Sequence, residues 1–359
     1  MVKALFVYSG TDRRELEKKV LAGTDPDTSF FGFMEVKKDE RIEATYIQIG
    51  KETYTFAGSF IRKYALLRVL YLYFKFRREF SNYDVIVLMS SAYFDLLLLK
   101  KYGLLRGKRW IILNLDLTIA LKKREKNPLI YKLFVSKIKE AEKIICISQA
   151  QQEFLLARGF DGKKLVFIPL GVDKSFYKKL SPSNEFILTI GRDIGRDFLT
   201  FLEAVRLSGK ESVMICSPKN VEGLEDKIPP NLEVLFDLPY QELRNYYSKA
   251  KVFVIATKSG EHLIGSDCPG QTAILDTLAY GVPVVATYMP WFEGYFESEK
   301  HLITVPPENP QALCKALERV ASDTELAQRL SNEGRKLIEE KCNSESMGRA
   351  IAELILNTA

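Results

Sequence analysis

Histidine and paired cysteines are scarce in this sequence, and their scarcity excludes several kinds of site. The 359 residues include only two histidines, His262 and His301, so a histidine-rich metal centre cannot be built. The cysteines are odd in number and contain no C-x-x-C pair: Cys146, Cys216, Cys268, Cys314 and Cys342. This pattern argues against a disulfide framework or a structural zinc site, and it favours a reducing compartment.

Long apolar runs and a strong excess of one charge are also missing. No segment offers the roughly 20 uninterrupted apolar residues of a membrane-spanning helix. The first apolar run, residues 3–8, is too short for the core of a signal peptide. Lysine and arginine number 52 against 46 acidic residues, a mild excess that suits an anionic ligand or a membrane surface better than nucleic acid. We therefore expect a cytoplasmic protein without nucleic-acid contacts, with peripheral attachment to the inner face of the membrane as an alternative.

Short apolar runs alternate with helix-length amphipathic segments along the whole chain. The runs that predict strands are residues 3–8, 84–89, 110–115, 143–147, 165–168, 186–190, 211–215, 232–236, 252–255 and 282–286. Periodic stretches predict helices between them, among which are residues 60–80, 129–142, 198–207 and 272–280. Strands that alternate with helices predict the α/β class, with parallel sheets covered on both faces.

Residues 171–184 interrupt this alternation and are rich in glycine, proline, serine and lysine, which predicts a linker. We therefore predict two doubly wound, Rossmann-like domains. The first comprises residues 1–178, and the second comprises residues 179–343. A last helix within residues 344–359 is expected to pack back on the first domain.

The loop at residues 191–197 reads GRDIGRD and directly follows a predicted strand. Gly191 lets a ligand approach the backbone, and Arg192 and Arg196 can converge on one anion because guanidinium groups match phosphate oxygens. The alternative is a solvated turn in which each arginine pairs with a neighbouring aspartate. If the loop is exposed and binds a ligand, loss of either arginine should lower turnover far more than stability.

A second segment, residues 267–276, reads DCPGQTAILD and leads into a predicted helix. The free amides at Gly270, Gln271 and Thr272 would form an anion site at the helix N-terminus. Asp276 follows Thr272 by one turn, so its carboxylate can lean back toward that site. The alternative is an ordinary polar helix face with Gly281 as the C-cap.

Together and in this order, these segments resemble the retaining GT-B glycosyltransferases of family 4, the "glycosyl transferases group 1" type. The resemblance is carried by IPLGVDKSF at residues 168–176, by Gly191-Arg192 followed by Arg196, and by DTLAYGVPVVA at residues 276–286. It covers residues 140–340 well and the N-terminal part loosely. It implies the GT-B architecture, in which two Rossmann-like domains face each other across a cleft.

The resemblance also implies an activity. The chain would transfer a sugar from a nucleoside-diphosphate-sugar donor to a glycan, lipid or small-molecule acceptor, with retention of anomeric configuration. The sugar nucleotide would be a co-substrate, and neither a metal nor another cofactor would be needed. The implied catalytic residues are Arg192 and Arg196, which would hold the diphosphate. The implied donor-binding residues are Asp276 at the ribose, with Gly10, Thr11, Gly191, Cys268, Gly270, Gln271 and Thr272.

This sequence departs from the family pattern at several of these positions. Cys268 stands where the family has its first motif glutamate, Asp276 replaces the second glutamate, and Arg196 replaces a lysine. The histidine that often follows an N-terminal-domain strand is absent near residues 114–116. Two other interpretations therefore stay open: a GT-B-shaped binding protein without catalysis, and a nucleotide-sugar epimerase. Hydrolysis of the donor would separate an enzyme from a pure binder.

Three further features each allow a functional and a structural interpretation. Asp25-Pro26-Asp27 has the D-x-D form of metal-dependent transferases, but its setting is also that of a simple turn. His262 could contact the donor or lie in a solvated loop. Residues 62–78 mix aromatic and basic side chains. They predict either contact with a membrane surface or a helix that packs on its own sheet.

Overall fold

The structure is a computed structural model that describes residues 1–10, 12–50, 64–105, 107–180, 183–258 and 266–359. The chain divides into two compact units. The first contains Met1–Leu21, Ser29–Pro169 and Glu345–Ala359, and the second contains Ala22–Thr28 and Leu170–Ser344. Among the described residues, no helix combines the length and the apolar character needed to cross a bilayer.

The first unit is built on a sheet of six parallel strands in the order β2-β1-β3-β4-β5-β6. These strands are β1 (Val2–Ser9), β2 (Ile42–Ile49), β3 (Val85–Leu88), β4 (Arg109–Asn114), β5 (Lys143–Cys146) and β6 (Leu165–Phe167). Strand β3 is buried along its whole length, as expected for a central parallel strand covered on both faces.

The second unit repeats this plan with six parallel strands in the order β12-β11-β10-β7-β8-β9. They are β7 (Phe186–Ile190), β8 (Ser212–Cys216), β9 (Leu232–Phe236), β10 (Ala250–Ile255), β11 (Val284–Thr287) and β12 (Ile303–Val305). The predicted α/β class with two doubly wound sheets is therefore confirmed. Strands β2 and β12 were not predicted, because β2 is a half-buried edge strand with Glu43, Thr45 and Gln48 in its sequence and β12 has three residues.

The helices lie between the strands and cover the sheets. Those of the first unit are α1 (Arg13–Leu21), α2 (Phe33–Val36), α3 (Ala65–Lys75), α4 (Arg77–Asn82), α5 (Leu97–Lys101), α6 (Leu117–Lys122), α7 (Pro128–Ile138) and α8 (Gln149–Leu156). Those that follow are α9 (Phe198–Ser208), α10 (Tyr240–Tyr247), α11 (Gln271–Tyr280), α12 (Pro310–Ser322), α13 (Thr324–Glu340) and α14 (Ser344–Thr358).

Helix α14 packs closely against the start of α2 through two glycines. A Cβ atom on Gly32 would lie 2.8 Å from the Gly348 Cα, and one on Gly348 would lie 2.5 Å from the Gly32 carbonyl oxygen. Gly32 also has a φ of 80°, which favours glycine. The side chain of Arg41 adds an ion pair to Glu353. Both glycines are therefore needed to seat α14 in the first unit.

The predicted linker at residues 171–184 begins as tightly packed backbone. The Val172 N–H donates to the Cys342 carbonyl oxygen over 3.1 Å, and the Ser344 N–H donates to the Val172 carbonyl oxygen over 3.0 Å. A Cβ atom on Gly171 would lie 2.2 Å from the Asn343 carbonyl oxygen. The start of this segment is thus part of the second unit, and the interpretation of a loose linker is wrong there.

Candidate functional site

The strand order of the second sheet reverses between β7 and β10. Open α/β sheets bind ligands beyond the carboxyl ends of their strands at such a point. The loop after β7 and the loop after β10 are joined by backbone hydrogen bonds. The Asp197 N–H donates to the Ala256 carbonyl oxygen over 2.9 Å, and the Lys258 N–H donates to the Gly195 carbonyl oxygen over 3.0 Å. The two loops therefore form one continuous edge.

Arg196 lies buried in this edge, with 3% of its surface exposed. Its Nη2 donates to the Ile190 carbonyl oxygen over 2.8 Å and to the Thr189 hydroxyl over 3.2 Å. Burial lowers the pKa of Arg196 to about 10, which leaves the guanidinium charged at neutral pH. Within the part of the chain that the structure describes, no carboxylate oxygen lies within 4.0 Å of its nitrogens. A buried cation without a carboxylate partner is costly unless an anion completes the site.

Two glycines make room for the Arg196 guanidinium. A Cβ atom on Gly191 would lie 3.0 Å from the Arg196 Cζ, and one on Gly270 would lie 3.3 Å from its Nη1. Gly191 directly follows strand β7, whereas Gly270 directly precedes helix α11. The two segments singled out from the sequence therefore meet at one guanidinium group.

Arg192 has a different environment from Arg196. Its Nε lies 3.2 Å from the Asp237 Oδ1, and both side chains are more than half exposed. Neither arginine pairs with an adjacent aspartate as the solvated-turn interpretation requires. The structure also does not bring the two guanidinium groups to one point, because Arg192 faces Asp237 and Arg196 faces Gly270. The expectation that both arginines are exposed holds for Arg192 and is wrong for Arg196.

Helix α11 starts at this edge, and the N–H of its first residue, Gln271, donates to the Cys268 carbonyl oxygen over 3.2 Å, so the predicted free amide at Gln271 is wrong. Gly270 is its N-cap residue, with a φ of 79°, and a glycine has no side chain with which to cap the other amides of the first turn. The helix N-terminus is therefore an available anion site. Gln271 is buried, and so is Cys268, whose N–H donates to the Ser266 hydroxyl over 3.1 Å. The thiol occupies a packed position and cannot accept hydrogen bonds as a carboxylate would.

A cavity of about 320 Å³ opens beside Arg192 and the first turn of α11. Its lining comes from the ends of β7 and β8, from α10 and from one side of α11. The lining residues are Ile190, Gly191, Arg192, Ile215, Leu238, Tyr240, Leu243, Tyr247, Thr272, Ala273, Asp276 and Tyr280. Apolar and aromatic groups surround a single carboxyl group, a composition typical of small-molecule sites.

Asp276 is that carboxyl group, and two tyrosines hold it in place. The Tyr240 hydroxyl donates to the Asp276 Oδ2 over 3.1 Å, and the Tyr177 hydroxyl donates to the Tyr240 hydroxyl over 3.1 Å. The Asp276 Oδ1 is buried and has no hydrogen-bond partner among the described residues. Burial raises the pKa of Asp276 to about 7, although the tyrosine hydroxyls act in the opposite direction. The carboxyl group is thus positioned with one oxygen left for a ligand.

Several solved structures share this fold. Anabaena Alr3699/HepE in complex with UDP-glucose matches with a TM-score of 0.72 and 13% identity over 99% of this chain and 100% of that one. A glycosyltransferase from Rickettsia africae matches with a TM-score of 0.69 and 16% identity over 100% and 99%. Sucrose-phosphate synthase from Thermosynechococcus elongatus matches with a TM-score of 0.72 and 14% identity over 99% of each chain. A search of curated protein sequences found no significant match.

The sequence itself matches a family in its second unit. Residues 219–337 fit the family model described as "Glycosyl transferases group 1". The chain thus has the GT-B fold and carries a glycosyl transferases group 1 region in its second unit. The matched region includes Tyr240, Gly270, Thr272 and Asp276, so much of the cavity lies within it.

Other residues singled out from the sequence do not line this cavity or lie outside the described residues. Gly10 follows β1 in the first unit with a φ of 81°, and its carbonyl oxygen accepts from the Gln48 Nε2 over 3.1 Å. Thr11 and His262 lie outside the described residues. Asp27 of the D-x-D motif is held by Ser344 and Asp173 through hydrogen bonds of 2.5 and 3.2 Å. Among the described residues, no three metal-binding side chains cluster.

The two tyrosines that hold Asp276 were not predicted from the sequence. Tyr240 begins α10 directly after the loop that follows β9, so it lies at the carboxyl edge of the sheet where ligands bind. Tyr240 could therefore have been predicted from its position directly after a strand and its loop. Tyr177 lies within the segment that we interpreted as a linker, and no local pattern relates it to Asp276.

Proposed function

We propose that this glycosyltransferase takes its sugar from a nucleoside-diphosphate donor and binds the diphosphate between Arg196 and the N-terminus of α11. The observation that carries this proposal is the buried guanidinium of Arg196, which lacks a carboxylate partner and lies against Gly270. A diphosphate would supply the missing negative charge. It would also accept hydrogen bonds from the amides of the first turn of α11.

The nucleoside then occupies the cavity beside the diphosphate site. The Asp276 Oδ1 accepts a hydrogen bond from a ribose hydroxyl, while Tyr240 keeps the other carboxylate oxygen occupied. The apolar side chains of Ile215, Leu238 and Leu243 offer a surface for the base. UDP-glucose is the first donor to test, because Anabaena Alr3699/HepE, which shares the fold, crystallised with it.

Catalysis follows from the same arrangement of charges. The bond between the anomeric carbon and the diphosphate oxygen breaks, and the nucleoside diphosphate leaves with the electron pair. An acceptor hydroxyl oxygen bonds to the anomeric carbon, and the proton of that hydroxyl passes to a departing phosphate oxygen. Negative charge grows on the departing oxygens, so Arg196, Arg192 and the helix amides bind them more tightly as the bond breaks. Since these groups supply the positive charge, we propose that turnover does not depend on a divalent metal. Retention of configuration is proposed from the resemblance to family 4.

Calorimetry with UDP in the presence of EDTA tests donor binding directly. We expect wild-type protein to bind UDP, and Arg196→Ala to bind it at least tenfold more weakly, since a hydrogen bond to a charged group is worth about 1.5–3 kcal/mol. Arg206→Ala is the matched control, because Arg206 is an exposed arginine of α9 in the same unit. Binding that disappears with EDTA and returns with magnesium or manganese would contradict the metal-independent mechanism.

The anomer released from the donor tests retention without knowledge of the acceptor. With UDP-α-glucose and water as acceptor, we expect α-glucose in the first NMR spectra, before the anomers equilibrate. Release of β-glucose would mean inversion. A thermal-shift series with UDP, GDP, ADP, CMP and TDP identifies the base, since a ligand at about 100 times its Kd should stabilise the fold by about 2.7 kcal/mol.

A further inference from the structure

Residues 62–78, which the sequence left open as either a membrane contact or a core helix, form part of α3 and α4. Residues 62–63 lie outside the description. Helix α3 buries Val69 and Leu72 in the core of the first unit, with Tyr71, Tyr73 and Phe76 packed against it. Its other side leaves large apolar side chains in solvent: Leu66, Leu67 and Phe74. The helix therefore combines a core face with an exposed apolar face.

Helix α7 has a second exposed apolar group that the sequence analysis did not single out. Leu129, Ile130 and Leu133 are 68%, 49% and 60% exposed. They are spaced at i, i+1 and i+4, so they lie on one side of the first helical turns. The opposite side of α7 buries Phe134 and Ile138 in the core. Three neighbouring apolar side chains in solvent are unlike the isolated ones that a surface normally carries.

One carboxylate joins these two helices. Asp95, in the turn that follows β3, forms ion pairs with Arg68 of α3 and Lys137 of α7. Arg68 directly follows Leu67, and Lys137 lies one turn beyond Leu133. The Asp95 carboxylate therefore bridges α3 and α7 within the first unit.

The charge of this region is almost entirely positive. Residues 64–82 and 122–133 contain nine basic residues and two acidic residues, Glu79 and Glu125, and the Glu125 carboxylate is bound by Arg158 over 2.7 Å. The basic side chains that are exposed are Lys75, Arg77, Arg78, Lys123, Lys126 and Lys132. Apolar groups that can enter the headgroup layer, surrounded by cations, complement an anionic lipid surface.

We propose that this face of the first unit, formed by the exposed apolar and basic residues of α3, α4, α7 and the segment before α7, docks on an anionic lipid bilayer. Leu129, Ile130 and Leu133 enter the headgroup region, and the surrounding lysines and arginines contact lipid phosphates. The inference does not depend on the proposed donor site, because that site lies in the second unit.

Co-sedimentation with vesicles tests the proposal. Vesicles of phosphatidylcholine alone are compared with vesicles that also contain phosphatidylglycerol, each at low and at high salt. We expect wild-type protein to sediment with the anionic vesicles at low salt and to be released by high salt. The triple variant Lys123→Gln, Lys126→Gln, Lys132→Gln should bind roughly a hundredfold more weakly, since each cation near the surface contributes about fivefold.

The apolar residues are tested by the triple variant Leu129→Ser, Ile130→Ser, Leu133→Ser, which should bind at least tenfold more weakly. Matched controls are Leu199→Ser with Leu207→Ser, exposed leucines of α9, and Lys219→Gln with Lys315→Gln and Lys336→Gln, exposed lysines of the second unit. The controls should bind as wild type. UDP binding and circular dichroism should be unchanged in every variant, which separates lost docking from lost folding.

Two results would overturn the proposal. The first is wild-type protein that ignores anionic vesicles at low salt, or binds neutral and anionic vesicles equally. The second is a serine variant that binds vesicles as wild type but changes from dimer to monomer in light scattering, because the face would then pair with a second copy of the chain.

Discussion

The first strand of each sheet leads to a glycine and then to a buried arginine, yet the two arginines have different surroundings. Arg13 follows β1 and Gly10, and Arg196 follows β7 and Gly191. Among the described residues, neither has a carboxylate within ion-pair distance. The Arg13 guanidinium lies 4.7 Å from the Tyr8 ring centroid and 5.7 Å from that of Phe30. Aromatic faces thus compensate its charge within the core.

Among the described residues, no aromatic ring covers the Arg196 guanidinium in this way. It lies instead against two glycines that leave its Nη1 open toward the start of α11. Its Nη2 is fixed by hydrogen bonds to the Thr189 hydroxyl and to the Ile190 carbonyl oxygen. The comparison teaches that burial and missing ion pairs do not by themselves mark a binding residue. What distinguishes Arg196 is the space beside it, at the point where the strand order reverses.

The largest effect should follow removal of Arg196. We expect Arg196→Ala to lower kcat by about 10²–10³, because the interaction lost is one that strengthens in the transition state. Since the side chain is buried and donates two hydrogen bonds, the free energy of unfolding should also fall by about 1–3 kcal/mol. Release of UDP from UDP-glucose and urea unfolding measure the two quantities. If a folded Arg196→Ala variant kept wild-type turnover, the donor site would have to lie elsewhere in the protein.

Asp276→Asn should have the next largest effect. We expect the affinity for UDP to fall about tenfold to a hundredfold, since a charge-assisted hydrogen bond to ribose is lost. Because the pKa of the Asp276 carboxyl is about 7 in the folded protein, wild-type affinity should rise as the pH rises through 7. The asparagine variant should not share this dependence. Calorimetry from pH 5.5 to 8.5, in about half-unit steps, measures both proteins.

The raised pKa of Asp276 also predicts how the stability of the ligand-free protein depends on pH. The pKa of the carboxyl group is raised from 3.8 to about 7 by burial, so between these values the folded state holds a proton that the unfolded state has released. The contribution of Asp276 to stability is therefore present at low pH and is lost as the pH rises toward 7. Asp276→Asn should flatten the pH dependence of the melting temperature in this window. An unchanged profile would mean that the carboxyl group is more hydrated than its burial indicates.

Arg192→Ala should have a smaller effect. Its guanidinium is more than half exposed and paired with Asp237, so the free energy of unfolding should change by about 0–1 kcal/mol. We expect turnover to fall by about tenfold, because Arg192 must leave Asp237 to reach a diphosphate. Asp237→Asn should leave stability similar and release Arg192 for the ligand. If Arg192→Ala and wild type have equal turnover, the arginine is a surface residue and Arg196 acts alone.

Arg13→Ala should affect the donor site least, and it completes the comparison. Loss of the side chain leaves a gap beside Tyr8 and Phe30, so the free energy of unfolding should fall by about 2–4 kcal/mol. UDP affinity, measured below the melting temperature, should change by less than about twofold. A large loss of affinity in a folded Arg13→Ala variant would show that Arg13 and Arg196 share a function.

The sequence predicted the fold class and the two segments that meet at Arg196, because glycines, arginines and helix starts leave local patterns. It could not predict which arginine is buried. Arg192 and Arg196 stand in the same charged loop, and only the tertiary position of Gly191 and Gly270 separates them. Tyr177 and Tyr240 were missed because their relation to Asp276 spans 36 to 99 residues and is made by packing alone. Strand β2 was missed because its edge position leaves it without a continuous apolar run.

The division of the chain has a consequence for the order in which the protein folds during synthesis. The first unit contains Met1–Leu21 and Ser29–Pro169, but it is completed by Glu345–Ala359. Domains that are contiguous in sequence can fold as they leave the ribosome, from the N-terminus onward. Here the surface around Gly32 that receives α14 stays uncovered until the whole second unit has been synthesised. The unit that emerges first is therefore the last to be finished, and a nascent chain would need protection at that surface.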